Sequence, residues 1–186
     1  MRLFIAVNLP IEVRQGAWEA SAPLRAKRYP VKWVAPESLH VTMKFLGEVH
    51  PQRCTELTKA LEQATRGAKP FSLLISGFGA FPNLQRPRVV WVGCEPAPPL
   101  EILQHRVEQE MDRIGFPVEG RPFHPHITLG RVRREARTSD FAGFAREVES
   151  LEYTAHVTVE SVDLMESTLT PKGARYARRH AASLAG

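Results

Sequence analysis

His126-Ile127-Thr128-Leu129, within the run RPFHPHITLGR from Arg121 to Arg131, is a His-x-Thr-x unit with an apolar residue at both spacer positions. In an extended chain successive side chains point to opposite faces, so His126 and Thr128 emerge together while Ile127 and Leu129 enter the core. The same unit stands at His40-Val41-Thr42-Met43, ahead of Lys44-Phe45-Leu46-Gly47, and again at His156-Val157-Thr158-Val159. Chance supplies about 0.4 His-x-Thr triplets at this His and Thr content, so the motif carries meaning only through its position.

Position separates the three copies. Leu3–Val7 reads as a short apolar strand, and Pro10 suits the first turn of a helix running from Ile11 to about Lys27. Val31–Val34 is a brief extended piece that leads through Pro36-Glu37-Ser38 into the first His-Thr strand. Pro51 opens a second helix, to about Arg66, and strands follow at Phe71–Phe78 and Arg88–Gly93, joined by a Gly, Pro and Asn-rich connection. Pro98 and Pro99 open a third helix, in which Leu100, Leu103, Val107, Met111 and Ile114 recur at helical spacing before Gly115 stops it. After the second His-Thr strand come a basic loop from Arg131 to Arg137, a short helix from about Asp140, a long alternating strand from Tyr153 to Met165, and a last strand near Arg175–His180.

The order strand, helix, His-Thr strand, helix, strand thus occurs twice. Leu3 and Val89, Pro10 and Pro96, and His40 and His126 are each 86 positions apart. This spacing predicts one domain over 1–186 built from pseudo-repeats at about 3–87 and 88–180, whose two His-Thr strands face each other across a central cleft. The third copy has no such counterpart, because the matching slot of the first repeat holds Leu74. His156 is therefore read as decorating the polar face of its strand.

A chain of 186 residues with 43% hydrophobic content suffices for a real core. No stretch approaches the ~20 apolar residues that a membrane helix requires, and the N-terminal apolar run is too short for a signal peptide, so a cytoplasmic location is expected; a monomer is expected as well. Cys54 and Cys94 lack the spacing of a zinc knuckle and read as free thiols. The formal charge of +5 favours an anionic partner.

Two imidazoles with ordinary pKa values near 6.5 can divide the work at neutral pH, one accepting a proton and one donating it. That suits phosphodiester hydrolysis, with Thr42 and Thr128 donating to non-bridging phosphate oxygens where negative charge develops. Arg131 could add a charge-assisted hydrogen bond. Strict alternation aims it away from His126, so its participation needs a bulge or bend, which Gly130 makes feasible. His124 and His126 could chelate zinc, but no carboxylate or cysteine accompanies them, and Pro125 more simply shapes the strand entry. His50, His105 and His180 read as solvated. Neither a Ser or Cys nucleophile nor a Gly-rich phosphate loop is signalled.

PESLHVTMKFLG and FHPHITLGR resemble the two signature motifs of the 2H phosphoesterase superfamily, and within it the RNA 2',3'-cyclic phosphodiesterases, also called 2'-5' RNA ligases. RLFIAVNLP, VKWVAPESLH and ESTLTPKGARY extend the resemblance over nearly the whole chain. It implies a bilobal α+β fold with two antiparallel sheets around the cleft and helices outside, no metal or other cofactor, and hydrolysis of a 2',3'-cyclic phosphate to a 2'-phosphomonoester. His40 would then protonate the leaving 3'-oxygen, His126 would activate water, and Thr42, Thr128 and Arg131 would hold the phosphate. The implied partner is an RNA with a 2',3'-cyclic phosphate end, tRNA fragments and cyclic nucleotides among the candidates. Joining or cleavage of 2'-5' linkages, and an idle RNA-end binding module, are the alternatives. Phe45 is expected on the core face, although a ring there could also stack near a base.

Overall fold

The computed structural model describes residues 1–185. Nine strands and five α-helices follow in the order β1 (Arg2–Asn8), α1 (Ile11–Ala20), α2 (Ala22–Ala26), β2 (Val31–Trp33), β3 (His40–Glu48), α3 (Cys54–Thr65), β4 (Phe71–Phe81), β5 (Val89–Cys94), α4 (Pro98–Asp112), β6 (His126–Val132), α5 (Phe144–Glu149), β7 (Thr154–Val159), β8 (Ser161–Thr170) and β9 (Gly173–Ser183). Helices and an antiparallel sheet therefore mix, as an α+β fold requires. The hydrogen-bonded order is β7-β4-β5-β6-β3-β1-β8-β9, with β2 added to the free edge of β6.

Two departures from expectation concern this sheet. Instead of two separate sheets, the path is continuous, but between β3 and β6 it narrows to the single register pair Val41–Ile127. Two halves, β3-β1-β8-β9 and β6-β5-β4-β7, thus meet at one hinge-like seam. The long strand expected from Tyr153 to Met165 is also interrupted at Glu160. β7 pairs with β4 in one half and β8 with β1 in the other. The reason is visible in the burial. Alternation ends at Val159, and from Val162 to Met165 four successive side chains are buried because β8 is covered on both faces. Neither sequence repeat supplies a half by itself, since β4 joins β5 and β6 while β8 joins β1 and β3.

The helices cover one side. Leu57 and Leu61 of α3 and Leu103, Val107 and Met111 of α4 pack against Ile5, Val41, Val92 and Ile127 in the main core. A second cluster, Leu24, Val90, Phe141, Phe144 and Val148, seats α2 and α5 under the other half. The expected first helix breaks at Ser21, whose hydroxyl donates to the Trp18 carbonyl (2.8 Å), and α2 starts at Ala22 with Pro23 in its first turn.

A buried ion pair joins the two halves of the site. Lys44 Nζ donates to Glu108 Oε2 of α4 (2.7 Å) and to the Pro117 carbonyl (2.7 Å), and the Glu119 amide donates to the same carboxylate (3.1 Å). The loop that launches β6 is thereby tied to β3. Breaking such a pair leaves an uncompensated buried charge. Lys44→Met should cost about 3–5 kcal/mol in urea unfolding, whereas the double variant Lys44→Met, Glu108→Leu should recover most of the loss.

Candidate active site

The pairing of Val41 with Ile127 puts both spacer residues in the core, each fully buried. The antiparallel register centred there sets His40 beside Thr128 and Thr42 beside His126, all four on the opposite, cleft-lining face. Each imidazole is held by the same local device. His40 Nδ1 donates to the Ser38 carbonyl (2.8 Å) and His126 Nδ1 to the His124 carbonyl (2.6 Å). A carbonyl only accepts, so Nδ1 carries the proton in the neutral ring and Nε2 is the atom presented to the cleft. His40 Nε2 lies 2.9 Å from the Thr42 hydroxyl. His126 Nε2 has no protein hydrogen-bond partner among the described residues. The turn before His40 is itself braced, because Arg14 Nη1 donates to the Glu37 carbonyl (2.7 Å).

A one-residue bulge follows each motif. Between Ala6–Thr42 and Ile5–Lys44 the register skips Met43, and between Trp91–Thr128 and Val90–Gly130 it skips Leu129. Two consecutive residues then face inward, Met43 with Lys44 and Leu129 with Gly130, and alternation resumes out of phase. Arg131 is thereby returned to the cleft face. The bend near Gly130 that its participation requires is present, and glycine is needed there, since a Cβ would lie 2.6 Å from Val31 Cγ1 and 2.8 Å from Trp33 Cε3.

The bulge in β3 corrects the expectation for Phe45. Its ring lies on the cleft face, 66% exposed, and Lys44 takes the core position instead. Phe45 stands 6.3 Å from Phe4, which stands 4.9 Å from the His40 ring. Tyr176 closes the group edge-on to both Phe4 (5.1 Å) and His40 (5.2 Å). On the other side Phe81 meets His126 at 4.9 Å, nearly perpendicular, and Trp91 at 5.2 Å. Of these rings, Phe4, Phe81 and Trp91 escape sequence reasoning. Phe81 falls in a segment rich in turn residues that in fact continues β4, and nothing local marks Phe4 as more than a strand residue.

Burial is the main cause holding both imidazoles below the ordinary histidine value. The carbonyl hydrogen bonds oppose it. The charge of Arg131 lowers both rings further, joined by His126 at His40 and by His124 at His126. Lys32 is the cross-strand partner of Arg131, and neither cation has an ion-pair partner among the described residues. Like charges directly opposite each other oppose folding, and here they place two exposed cations on the face that carries the histidines.

The remaining candidates lie elsewhere. His156 is exposed on β7, opposite Leu74, and His105 is exposed on α4. The His50 ring accepts from the Gln52 amide (3.3 Å), and His180 is bonded to Glu62 on the helix-covered side. The two cysteines are free, and burial pushes the Cys94 thiol up to about 12. Among the described residues no group of three or more His, Cys, Asp or Glu side chains could hold a metal, and no helix is long and apolar enough to cross a membrane.

Residues 13–170 match the profile of the 2'-5' RNA ligase superfamily. The chain is 34% identical over 176 residues to the RNA 2',3'-cyclic phosphodiesterase of Methanothermobacter thermautotrophicus, covering 95% of each protein. Its fold is similar to that of a protein of Thermus thermophilus, with a TM-score of 0.84 at 31% identity over 100% of this chain and 99% of the other. It is also similar to E. coli LigT complexed with 3'-AMP, with a TM-score of 0.78 at 26% identity over 100% of this chain and 98% of that one.

Because Arg131 lowers both imidazoles, Arg131→Gln should raise both titration midpoints toward the ordinary value. Imidazole proton NMR of wild type and variant across pH checks this; unchanged midpoints would remove Arg131 from the site. Below 6.5 the unfolded chain binds more protons than the folded one, so acidification should weaken the fold, less so in the variant.

Proposed function

This chain belongs to the 2'-5' RNA ligase superfamily, and from that premise we propose that it hydrolyses RNA 2',3'-cyclic phosphate ends to 2'-phosphomonoesters by two-histidine acid and base catalysis. One observation carries the reading. Two His-x-Thr units lie side by side at the seam, each imidazole oriented with Nε2 toward the cleft.

In this mechanism the cyclic phosphate sits between the four side chains. His126, whose Nε2 has no protein partner among the described residues, takes a proton from water as its oxygen attacks phosphorus in line. The P–O3' bond breaks, and His40 delivers its proton to the departing 3'-oxygen. Thr42 and Thr128 donate to the non-bridging oxygens, and Arg131 offsets the charge developing there. Burial and the charge of Arg131 favour the neutral form of both rings. A bound phosphate anion opposes the field of Arg131 and Lys32, which favours the protonated form that His40 needs. The two imidazoles supply both proton transfers, so the mechanism assigns no metal.

The exposed ring of Phe45, backed by Phe4 and Tyr176, offers a stacking surface for the terminal base on the His40 side. That orientation brings the ribose, and with it the leaving 3'-oxygen, toward His40. The matching slots at 86-residue spacing, with equivalent bulges, support an internal duplication in which the last strands are exchanged between halves. The same reading takes the enzyme as a cytoplasmic monomer. Joining of 2'-5' linkages would use the same atoms, with a 5'-hydroxyl in place of water as the nucleophile and the P–O3' bond again the one that breaks.

Phosphorus NMR of a cyclic-phosphate-ended oligonucleotide in excess EDTA tests the proposal. Wild type should give the 2'-monoester, and His40→Ala and His126→Ala should each slow its appearance by about 10²- to 10⁴-fold. Full activity in both variants would refute the two-histidine mechanism. Phe45→Ala should raise KM by roughly 5- to 100-fold, the worth of one stacked base, with kcat little changed.

A further inference from the structure

The half of the sheet that carries His40 holds a row of side chains reaching well beyond the four residues at the seam. Phe45 of β3 is the register partner of Phe4 of β1, Phe4 of Met165 of β8, and Met165 of Arg178 of β9. In antiparallel pairing such partners share a face, so a row runs from the exposed stacking ring, over Phe4 and Met165 buried beneath the surface, to an exposed guanidinium on the outer strand. At about 4.8 Å per strand, Arg178 lies three strand spacings out from β3.

Arg178 is anchored without its donors being used. Asp163, 1% exposed, receives hydrogen bonds from Asn8 Nδ2 (2.6 Å) and Ser161 Oγ (2.8 Å), and Arg178 Nη1 lies 3.7 Å away. That distance makes an ion pair and not a hydrogen bond. No other protein group among the described residues accepts from this side chain, which is 59% exposed. The anchor also belongs to the catalytic strand pair, because Asn8 is the register partner of His40. Its neighbour in sequence behaves differently. The bulge that skips Arg179 turns that side chain to the opposite face, where it is bonded to Glu166.

We propose that Arg178 binds the phosphate on the 5' side of the terminal nucleoside, and so selects RNA ends over free nucleoside 2',3'-cyclic phosphates. This rests on the proposed activity. A base stacked on the exposed ring of Phe45 directs its ribose 5'-carbon away from the histidines and along this row, toward its one cation. The guanidinium, already oriented by Asp163, presents its unspent N–H groups to phosphate oxygens in the geometry arginine favours. A nucleoside 2',3'-cyclic phosphate with no 5'-phosphate makes no such contact.

The test compares three substrates: a pentaribonucleotide ending in a 2',3'-cyclic phosphate, adenosine 2',3'-cyclic phosphate, and the latter carrying a 5'-phosphate. Arg178→Ala should raise KM about tenfold or more for the first and third, the size of one charge-assisted hydrogen bond. It should leave kcat, and all kinetics on the second, within about twofold. Arg178→Lys should restore part of the loss and, keeping a counter-charge for Asp163, guards against a folding defect. Equal shifts on all three substrates, or none, would overturn the proposal. Should wild type turn over none of them, the proposed activity fails, and the salt dependence of pentaribonucleotide binding decides Arg178 by itself. Losing one phosphate contact should reduce the slope of log K against log salt by about 0.7 in Arg178→Ala, and an unchanged slope overturns the role.

Discussion

The seam between Val41 and Ile127 is the contact on which the rest depends. It is one register pair long, made by two β-branched residues that are fully buried, and no other contact between β3 and β6 is part of the sheet ladder. Because the spacers of both motifs are the residues that pair, the functional side chains on the opposite face are brought together without being packed into the core. A longer ladder would flatten the junction into ordinary sheet. The narrow join lets the halves splay into a cleft while the buried Lys44–Glu108 pair, bridging β3, α4 and the loop before β6, fixes one motif relative to the other.

The two bulges convert a symmetric scaffold into an asymmetric site. After each motif two successive residues must face inward, and each half meets that demand differently. In β6 the second inward residue is Gly130, because Val31 and Trp33 of β2 occupy the space of a side chain. In β3 it is Lys44, tolerated because Glu108 and the Pro117 carbonyl satisfy its ammonium. One position later the cleft receives Arg131 on one side and Phe45 on the other.

Much of this was legible in the chain. His40, Thr42, His126 and Thr128 share a face through the period of two that strands impose, and apolar spacers identified which face was which. The need for a bulge before Arg131 could be read from strict alternation together with Gly130. The same reasoning failed for Phe45, because no glycine announces the bulge in β3. A lysine at the position after Met43 looks solvent-facing until Glu108, 64 residues later, is known to wait for it. Pairing partners distant in sequence also decided that the stretch from Tyr153 to Met165 breaks at Glu160, since β4 and β1 draw its two ends into different halves. The aromatic rings around each histidine are likewise products of topology: Phe4 and Tyr176 are brought together only because β8 bridges β1 and β9.

Asymmetry also bears on which histidine is acid and which is base. Locally the two are alike, each with Nδ1 held by the carbonyl two residues earlier and each lowered chiefly by burial. A cyclic phosphate is not symmetric, because the leaving oxygen stays attached to the ribose while water arrives from the far side. In the proposed mechanism the half that binds the nucleoside would therefore carry the acid. Phe45, the exposed ring, belongs to the strand of His40, and its backing of Phe4, Met165 and Tyr176 continues away from the seam on the same half. On the other half Arg131 and Lys32 offer charge at the corresponding place. In the proposed mechanism the direction of proton flow would follow from one out-of-phase residue in each strand, phenylalanine in one and arginine in the other.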